Sequence, residues 1–305
     1  MAVEPVVERE ALESVRAPVD AVLGGYLDGC RSDLGRIDPH APLLVEEIAR
    51  LVSAGGKRVR PAFCIWAFRA ATRGKEVAPA AGAADRPIVR AAAALELLHT
   101  MALIHDDLID ESAIRRGVPA TAPHLATEGL RRGFVVDPAR FGRAGALLAG
   151  DLAAVLADRL LLTSGFELAA LARALVPYHE MRLDMAAGQL LDVAGLTTEP
   201  PTALHAARLK GGTYTVEGPL MVGVALAGER AELQALLRAF ATPLGQAFQL
   251  RDDLHDGDGR HGATPATVNE LVDRARSVLR GAGHGVGERS ALEALDRLAA
   301  LVAMP

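Results

Sequence analysis

The 305-residue sequence predicts an all-α fold, organised as one domain over residues 1–305. Three observations carry that prediction. Half of the residues are hydrophobic but only 4% are aromatic, so Ala and Leu must fill the core, which suits closely packed helices better than strands. Apolar residues recur at the spacing of a helix face along most of the chain, and no stretch alternates convincingly as a half-buried strand does. Glycine and proline clusters fall between the periodic segments, with no distinct linker and no fixed-period repeat.

The first helix is expected over about residues 10–34, with others near 43–53 and 61–71, the last opening on Pro61, a residue suited to a first helical turn. A Gly/Ala/Pro loop at 74–84 leads into a long helix over 87–110, which holds the alanine run 91–94 and ends in acidic residues. Residues 117–138 read as a long polar crossing. Helices follow over 142–163, 167–191, 201–210 and 219–227. The segment 229–254 reads as two helices broken near Pro243, since proline removes a hydrogen bond and crowds the preceding turn. Gly-rich stretches at 257–265 and 281–287 bracket a helix over 267–279, and a last helix covers 290–302.

A net charge of −5 argues against non-specific nucleic-acid binding. Two cysteines, Cys30 and Cys64, have no metal-ligand spacing and point to a reducing, cytoplasmic setting. The acidic first ten residues lack the basic start and apolar run of a signal peptide. No stretch reaches the roughly 18 uninterrupted apolar residues expected of a span, so no transmembrane segment is expected.

One acidic pattern occurs twice. Asp106-Asp107-Leu108-Ile109-Asp110 and Asp252-Asp253-Leu254-His255-Asp256 are both Asp-Asp-x-x-Asp, each ending an apolar helical run. Residues four apart share a helix face, and like charges there cost about 0.2–0.5 kcal/mol per pair. A cation would offset that cost. Carboxylate oxygens with room for water suit Mg²⁺, which completes its octahedron with phosphate oxygens. The expectation is a magnesium–diphosphate site on two facing helices.

Basic residues that could hold the remaining phosphate oxygens cluster at three places. Gly55-Gly56-Lys57-Arg58-Val59-Arg60-Pro61 joins two glycines to three cations at a helix start, where anions bind readily. Solvated charges at an ordinary helix start are the alternative. Arg115-Arg116-Gly117 lies just beyond the first acidic motif, where two planar forks can meet phosphate or simply form a turn. Lys210-Gly211-Gly212-Thr213-Tyr214 puts a lysine at a helix end, often no more than a complement to the macrodipole. Lysine is scarce here, with Lys57, Lys75 and Lys210 set against thirty arginines, so its positions carry information.

Together these segments resemble the trans-isoprenyl diphosphate synthases of the polyprenyl synthetase family. The matching stretches are 55–61 (GGKRVRP), 99–117 (HTMALIHDDLIDESAIRRG), Gly150-Asp151, 188–192 (GQLLD), 210–214 (KGGTY) and 248–256 (FQLRDDLHD), in the family's order. The stretch 210–219 is most similar to bacterial synthases of the geranylgeranyl type. The resemblance implies a helical bundle of the isoprenoid synthase type around a central apolar cavity, and a homodimer. It implies that Asp106, Asp107, Asp110, Asp252, Asp253 and Asp256 hold several Mg²⁺ ions bridging an allylic diphosphate. Arg115 and Lys210 would grip that diphosphate, with Gln189, Asp192 and Gln249 lining the site. Lys57, Arg60, His99 and Arg116 would bind the diphosphate of isopentenyl diphosphate. The family reaction ionises the allylic C–O bond, the isopentenyl alkene attacks the carbocation, and loss of a proton completes the condensation. Taken by itself, His99 on an apolar helix reads as a satisfied core histidine, and His105 beside the aspartates as structural.

One turn before Asp106 lie Met101 and Ala102, with Leu98 a further turn back. Small Ala102 leaves room for a lengthening product and Met101 is adaptable, which gives an expected C20 product, geranylgeranyl diphosphate, within a C15 to C25 range. The chain departs from the family after Asp256. A Gly-Lys-Pro loop with a second lysine is usual there, whereas this chain reads Gly257-Asp258-Gly259-Arg260-His261-Gly262 and has no lysine after Lys210. Arg260 does not reproduce a compact ammonium. The part after about residue 257 reads as shortened, and Gly211 stands where the family usually has Ser or Thr. Two alternatives are a class I terpene cyclase, opposed by the Lys57/Arg60/His99/Arg116 set, and a weakly active or regulatory partner subunit of a prenyl synthase, opposed by the six aspartates.

Overall fold

The computed structural model describes residues 4–73, 86–196, 202, 205–206, 208–228, 230–255, 264–283 and 285–303, without the side chains of 4–10, 253, 255, 302 and 303. Asp256 and residues 257–263, with the expected loop substitution and Arg260, lie outside the described residues. Among the described residues are eleven α-helices, one π-helical segment and a two-strand hairpin. They fall into two compact units, one drawn from 17–58 and 81–165, the other from 1–16, 59–80 and 166–305.

The first unit, here the α4 unit, takes most of α1 (Glu4–Ile37), then α2 (Pro42–Ser53), α4 (Pro87–Ile109), the hairpin β1 (Ile114–Arg115) and β2 (Val118–Pro119), α5 (Thr121–Arg131) and α6 (Pro138–Leu162). The core helix is α4. Ala91, Ala92, Ala93 and Ala94 are fully buried together with Leu95, Leu97 and Leu98, and α4 packs on α6. The facing helix also uses small residues, Ala146, Ala149, Gly150, Ala153 and Ala157. Small side chains on both partners let two backbones approach and bury apolar area at about 25 cal/mol per Å². Helix α6 begins at Asp137, whose Oδ1 accepts from the Arg140 N–H at 2.8 Å as a helix cap does. By length and composition α4 could cross a membrane, although no uninterrupted apolar run reveals it. Its apolar stretch is 72% buried inside the protein, as in a core helix.

The second unit, here the α9 unit, contains α3 (Val59–Thr72), α7 (Leu168–Val193), the π-helical segment Arg208–Glu217, α8 (Gly218–Ala227), α9 (Ala231–His255), α10 (Pro265–Arg280) and α11 (Arg289–Ala303). Helix α3 packs on α8 and α11, and α9 packs on α10 and on the π-helical segment. Phe63, Cys64 and Ile65 of α3 and Leu220, Val222 and Val224 of α8 are all buried.

Three expectations need correction. Helix α9 runs unbroken through Pro243, because Leu237, Phe240, Leu244 and Ala247 stay buried on both sides and hold the axis despite one missing hydrogen bond. The supposed polar crossing at 117–138 contains α5, whose buried positions are few (Thr121, Leu125 and Gly129), too sparse for a visible period. A two-residue turn at Arg116-Gly117, both at positive φ, closes the unforeseen hairpin, which pairs Ile114 with Pro119 and Arg115 with Val118.

Candidate active site

The first acidic motif lies where α4 ends. Asp106 and Asp107 are in its last turns and Asp110 caps it, its N–H donating to the Asp106 carbonyl. A helix C-terminus is the negative end of the macrodipole, so each carboxylate there costs about 0.3–1 kcal/mol, and α4 has no basic residue in its last turn. The hairpin supplies a cation. Arg115 donates from Nε and Nη2 to Oδ1 of Asp107 at 2.8 and 2.5 Å, and its Nη2 is 3.7 Å from Asp106. Burial opposes the Arg115 charge, but Asp107 outweighs it, with Asp106 and Asp110 adding, and raises the guanidinium pKa above its usual value. Asp107 is buried, and its second oxygen, Oδ2, has no hydrogen-bond partner. A buried carboxylate oxygen left in that state is open to a cation or an ordered water. Hard carboxylate donors at an electronegative helix end fit Mg²⁺.

On α6, His105 is met by the Gly150-Asp151 pair. Its Nε2 is 3.7 Å from Asp151, and a methyl group on Gly150 would stand 2.1 Å from that nitrogen, so the glycine makes room for the ring.

In the same unit the Gly55-Gly56 loop exposes Lys57 but buries Arg58. Arg58 donates to Glu96 at 2.6 Å, to Asp20 at 2.7 Å and to the Val52 carbonyl at 2.7 Å. Burial opposes this charge as well, and Glu96 and Asp20 more than restore it. Arg116 donates to the carbonyls of Gly55 and Leu51, and lies 3.8 Å from Glu96. His99 is half-buried one turn beyond Glu96 on α4. Leu98 and Met101 are buried and Ala102 is half-buried. Sequence reasoning passed over Glu96, and it counted Arg58 among the anion-binding cations, whereas the structure buries that side chain on Glu96. A lone glutamate inside an alanine-rich helix was the available signal, because such a charge is buried only when paired.

Within the α9 unit, Arg60 donates to the Thr215 hydroxyl at 2.7 Å and lies over the Tyr214 ring, 4.7 Å from its centroid. The Lys210 motif forms a π-helical segment, a form that often marks functional positions. Lys210 donates to Asp192 of α7 at 3.0 Å, with Gln189 half-buried one turn earlier on the same helix. A methyl group on Gly211 would stand 2.2 Å from Oε1 of Gln249, so that glutamine fills the space a larger residue would need. Asp252 accepts from Arg251 at 3.0 Å. The Asp253 side chain and Asp256 lie outside the description, and the described His, Cys, Asp and Glu residues form no group of three or more suited to a metal.

Comparison with known proteins gives one family. The polyprenyl synthetase pattern matches residues 41–265. A geranylgeranyl diphosphate synthase of Methanosarcina mazei is 31% identical over 68% of this chain, and a farnesyl diphosphate synthase of Geobacillus stearothermophilus is 34% identical over 81%. The chain spans about 56% of the length of the first relative and 75% of the second. A solved geranylgeranyl pyrophosphate synthase of Corynebacterium glutamicum, complexed with isoprenyl diphosphate and magnesium, superposes with a TM-score of 0.85 at 25% identity, covering 96% of this chain and 99% of that one.

Proposed function

The chain belongs to the polyprenyl synthetase family, and on that premise we propose that it is a prenyltransferase. It condenses isopentenyl diphosphate with an allylic diphosphate to give a trans-polyprenyl diphosphate. The carrying observation is Asp107, with one oxygen held by Arg115 and the other buried without a hydrogen-bond partner, at the acidic end of α4. Asp106, Asp107 and Asp110, with Asp252, Asp253 and Asp256, would be the carboxylates that hold Mg²⁺. When bound, Mg²⁺ neutralises the charge that develops on the departing diphosphate.

The chain's own residues do the rest. Arg115, fully charged, lies beside Asp107 and is offered to the allylic diphosphate as a planar donor. Lys210, anchored by Asp192, donates to the same group, with Gln189 and Gln249 as neutral donors. Lys57, Arg60, His99 and Arg116 bind isopentenyl diphosphate. Apolar Leu98, Met101 and Ala102 keep water from the carbocation and set product length, for which C20 is the reading within a C15 to C25 range, the span covered by relatives named farnesyl, geranylgeranyl and geranylfarnesyl diphosphate synthases. The new bond joins the allylic carbon to the isopentenyl alkene, the C–O bond to diphosphate breaks, and the proton lost goes to the departing diphosphate.

A homodimer belongs to this reading. Leu148, Val155 and Leu162 recur every seven residues on α6 with 54%, 59% and 49% exposure, an apolar stripe suited to a partner helix. On α7, Val176, Leu183 and Leu190 repeat the pattern. A cytoplasmic setting is supported by Cys30 and Cys64, both free and buried.

Purified protein incubated with Mg²⁺, labelled isopentenyl diphosphate and C5, C10 or C15 allylic diphosphate should yield extended diphosphates. Cyclic hydrocarbon from the allylic substrate alone would establish a cyclase instead, and silence until a homologue is added a partner subunit.

A further inference from the structure

Glu96 is 2% exposed, inside the apolar helix α4, separated from the buried alanines 91–94 only by Leu95. Packing alone does not explain it, since an apolar residue fills such a position without desolvating a charge. What it meets is informative. Arg58 donates to it at 2.6 Å and Arg116 lies 3.8 Å away, so one carboxylate serves arginines from two separate basic clusters. Both arginines have a left-handed backbone, with φ of 54° and 53°, conformations that non-glycine residues hold only under constraint. They close on Gly56 from two sides. A methyl group there would stand 2.8 Å from Nη1 of Arg58 and 3.2 Å from Nη2 of Arg116, and the φ of Gly56 is 154°. Further bonds tie Arg58 to Asp20 and Val52, and Arg116 to Gly55 and Leu51. Two guanidinium groups this close to one loop repel unless an anion lies between them.

We propose that Glu96 is the positioning residue of the isopentenyl diphosphate site. Its carboxylate holds Arg58 and Arg116 around Gly56 and so fixes the loop that presents Lys57. His99 is three residues further along α4, on the same side of the helix as Glu96. The assignment rests on the prenyltransferase function proposed above. Glu96 touches no reacting atom, and its effect passes through Lys57 and Arg116.

The test is Glu96→Gln, which keeps shape and removes charge. The Michaelis constant for isopentenyl diphosphate should rise on the order of tenfold, while kcat and the allylic Michaelis constant change by less than about twofold. Because a single neutralisation strands Arg58, the double variant E96Q/R58Q is the second arm. It removes both buried charges, and should keep the raised isopentenyl constant because Arg116 still lacks its anchor. A wild-type isopentenyl constant in E96Q overturns the proposal. Recovery in E96Q/R58Q also overturns it, since Glu96 would then only neutralise Arg58. Equal rises for both substrates with a lower melting temperature mark a structural role and overturn it too. Calorimetric binding of isopentenyl diphosphate, without an allylic substrate, separates the two levels of failure. A wild type that does not bind overturns the proposed function and this role with it. A wild type and an E96Q variant that bind equally well overturn only the role of Glu96.

Discussion

Replacing Gly211 with Ser tests whether Gln249 belongs to the allylic site. The new Cβ would stand 2.2 Å from Oε1 of Gln249, far inside van der Waals contact. The clashing atom is the end of a flexible side chain, so the fold answers by turning the glutamine to another rotamer. Moving Gly to Ser within a helical segment gains about 0.5 kcal/mol of propensity, and a displaced rotamer costs about 0.5–1.5 kcal/mol. The net change is under about 1 kcal/mol, or no more than about 2–4 °C in Tm for a domain of this size. Function answers differently. If Gln249 donates to the diphosphate, its displacement forfeits a hydrogen bond to a charged group, about 1.5–3 kcal/mol, which is roughly ten- to hundredfold in the allylic Michaelis constant. The assay is steady-state kinetics with the allylic substrate varied at saturating isopentenyl diphosphate, beside a thermal melt. An allylic constant within about twofold of wild type would refute the reasoning. Gly188 provides the contrast. A methyl group there would meet the backbone nitrogen of Lys210 at 2.6 Å and the Ala206 carbonyl at 2.9 Å, which cannot turn aside. Gly188→Ala should therefore cost about 1–3 kcal/mol of stability as well as raising the allylic constant.

Three further outcomes are expected. Ala102→Phe adds bulk to a half-buried position one turn before Asp106 and should shorten the products seen by chromatography, an unchanged profile removing the residue from length control. Val155→Glu puts a charge in the apolar stripe of α6 and should convert a dimer to a monomer by light scattering, whereas a persistent dimer would place the interface elsewhere. Although burial pushes the Asp296 pKa up, Arg276 and then Arg280 hold it below the ordinary 3.8. Its contribution is therefore present above about pH 4 and lost as pH falls through the lowered value. Asp296→Asn should lower stability by about 1–3 kcal/mol at neutral pH, with the difference from wild type vanishing in acid on denaturant melts.

How much was legible in the sequence follows from how each feature is encoded. The α4 helix and its acidic end could be read directly, because an alanine run and aspartates at helical spacing are local patterns. Helix α5 was invisible for the opposite reason: its few buried positions are interrupted by polar residues and Pro123, and one of them, Gly129, has no side chain to carry a period. Pro243 misled because propensity weighs the missing hydrogen bond but not the buried leucines on either side. The motif residues were identified as types, but their partners were not. Nothing local says that Arg115 faces Asp107, that Arg58 is buried on Glu96, or that Arg60 lies over Tyr214. Those pairings are tertiary, set by a hairpin, a left-handed loop residue and a π-helical segment, none of which has a period to read.

The pairing of α3 with α8 bears on how the chain is made. Phe63, Cys64 and Ile65 are buried in a helix that is synthesised early, and a methyl group on Gly223 would stand 2.2 Å from the Cys64 carbonyl, so the two helices approach closely there. Translation at about 5–20 residues per second places the partner on the order of ten to thirty seconds behind. For that interval α3 carries an apolar face with nothing from α8 to cover it. Folding yield during synthesis should then depend on the supply of chaperones and on ribosome speed between the two helices, more than on the final stability of the folded protein.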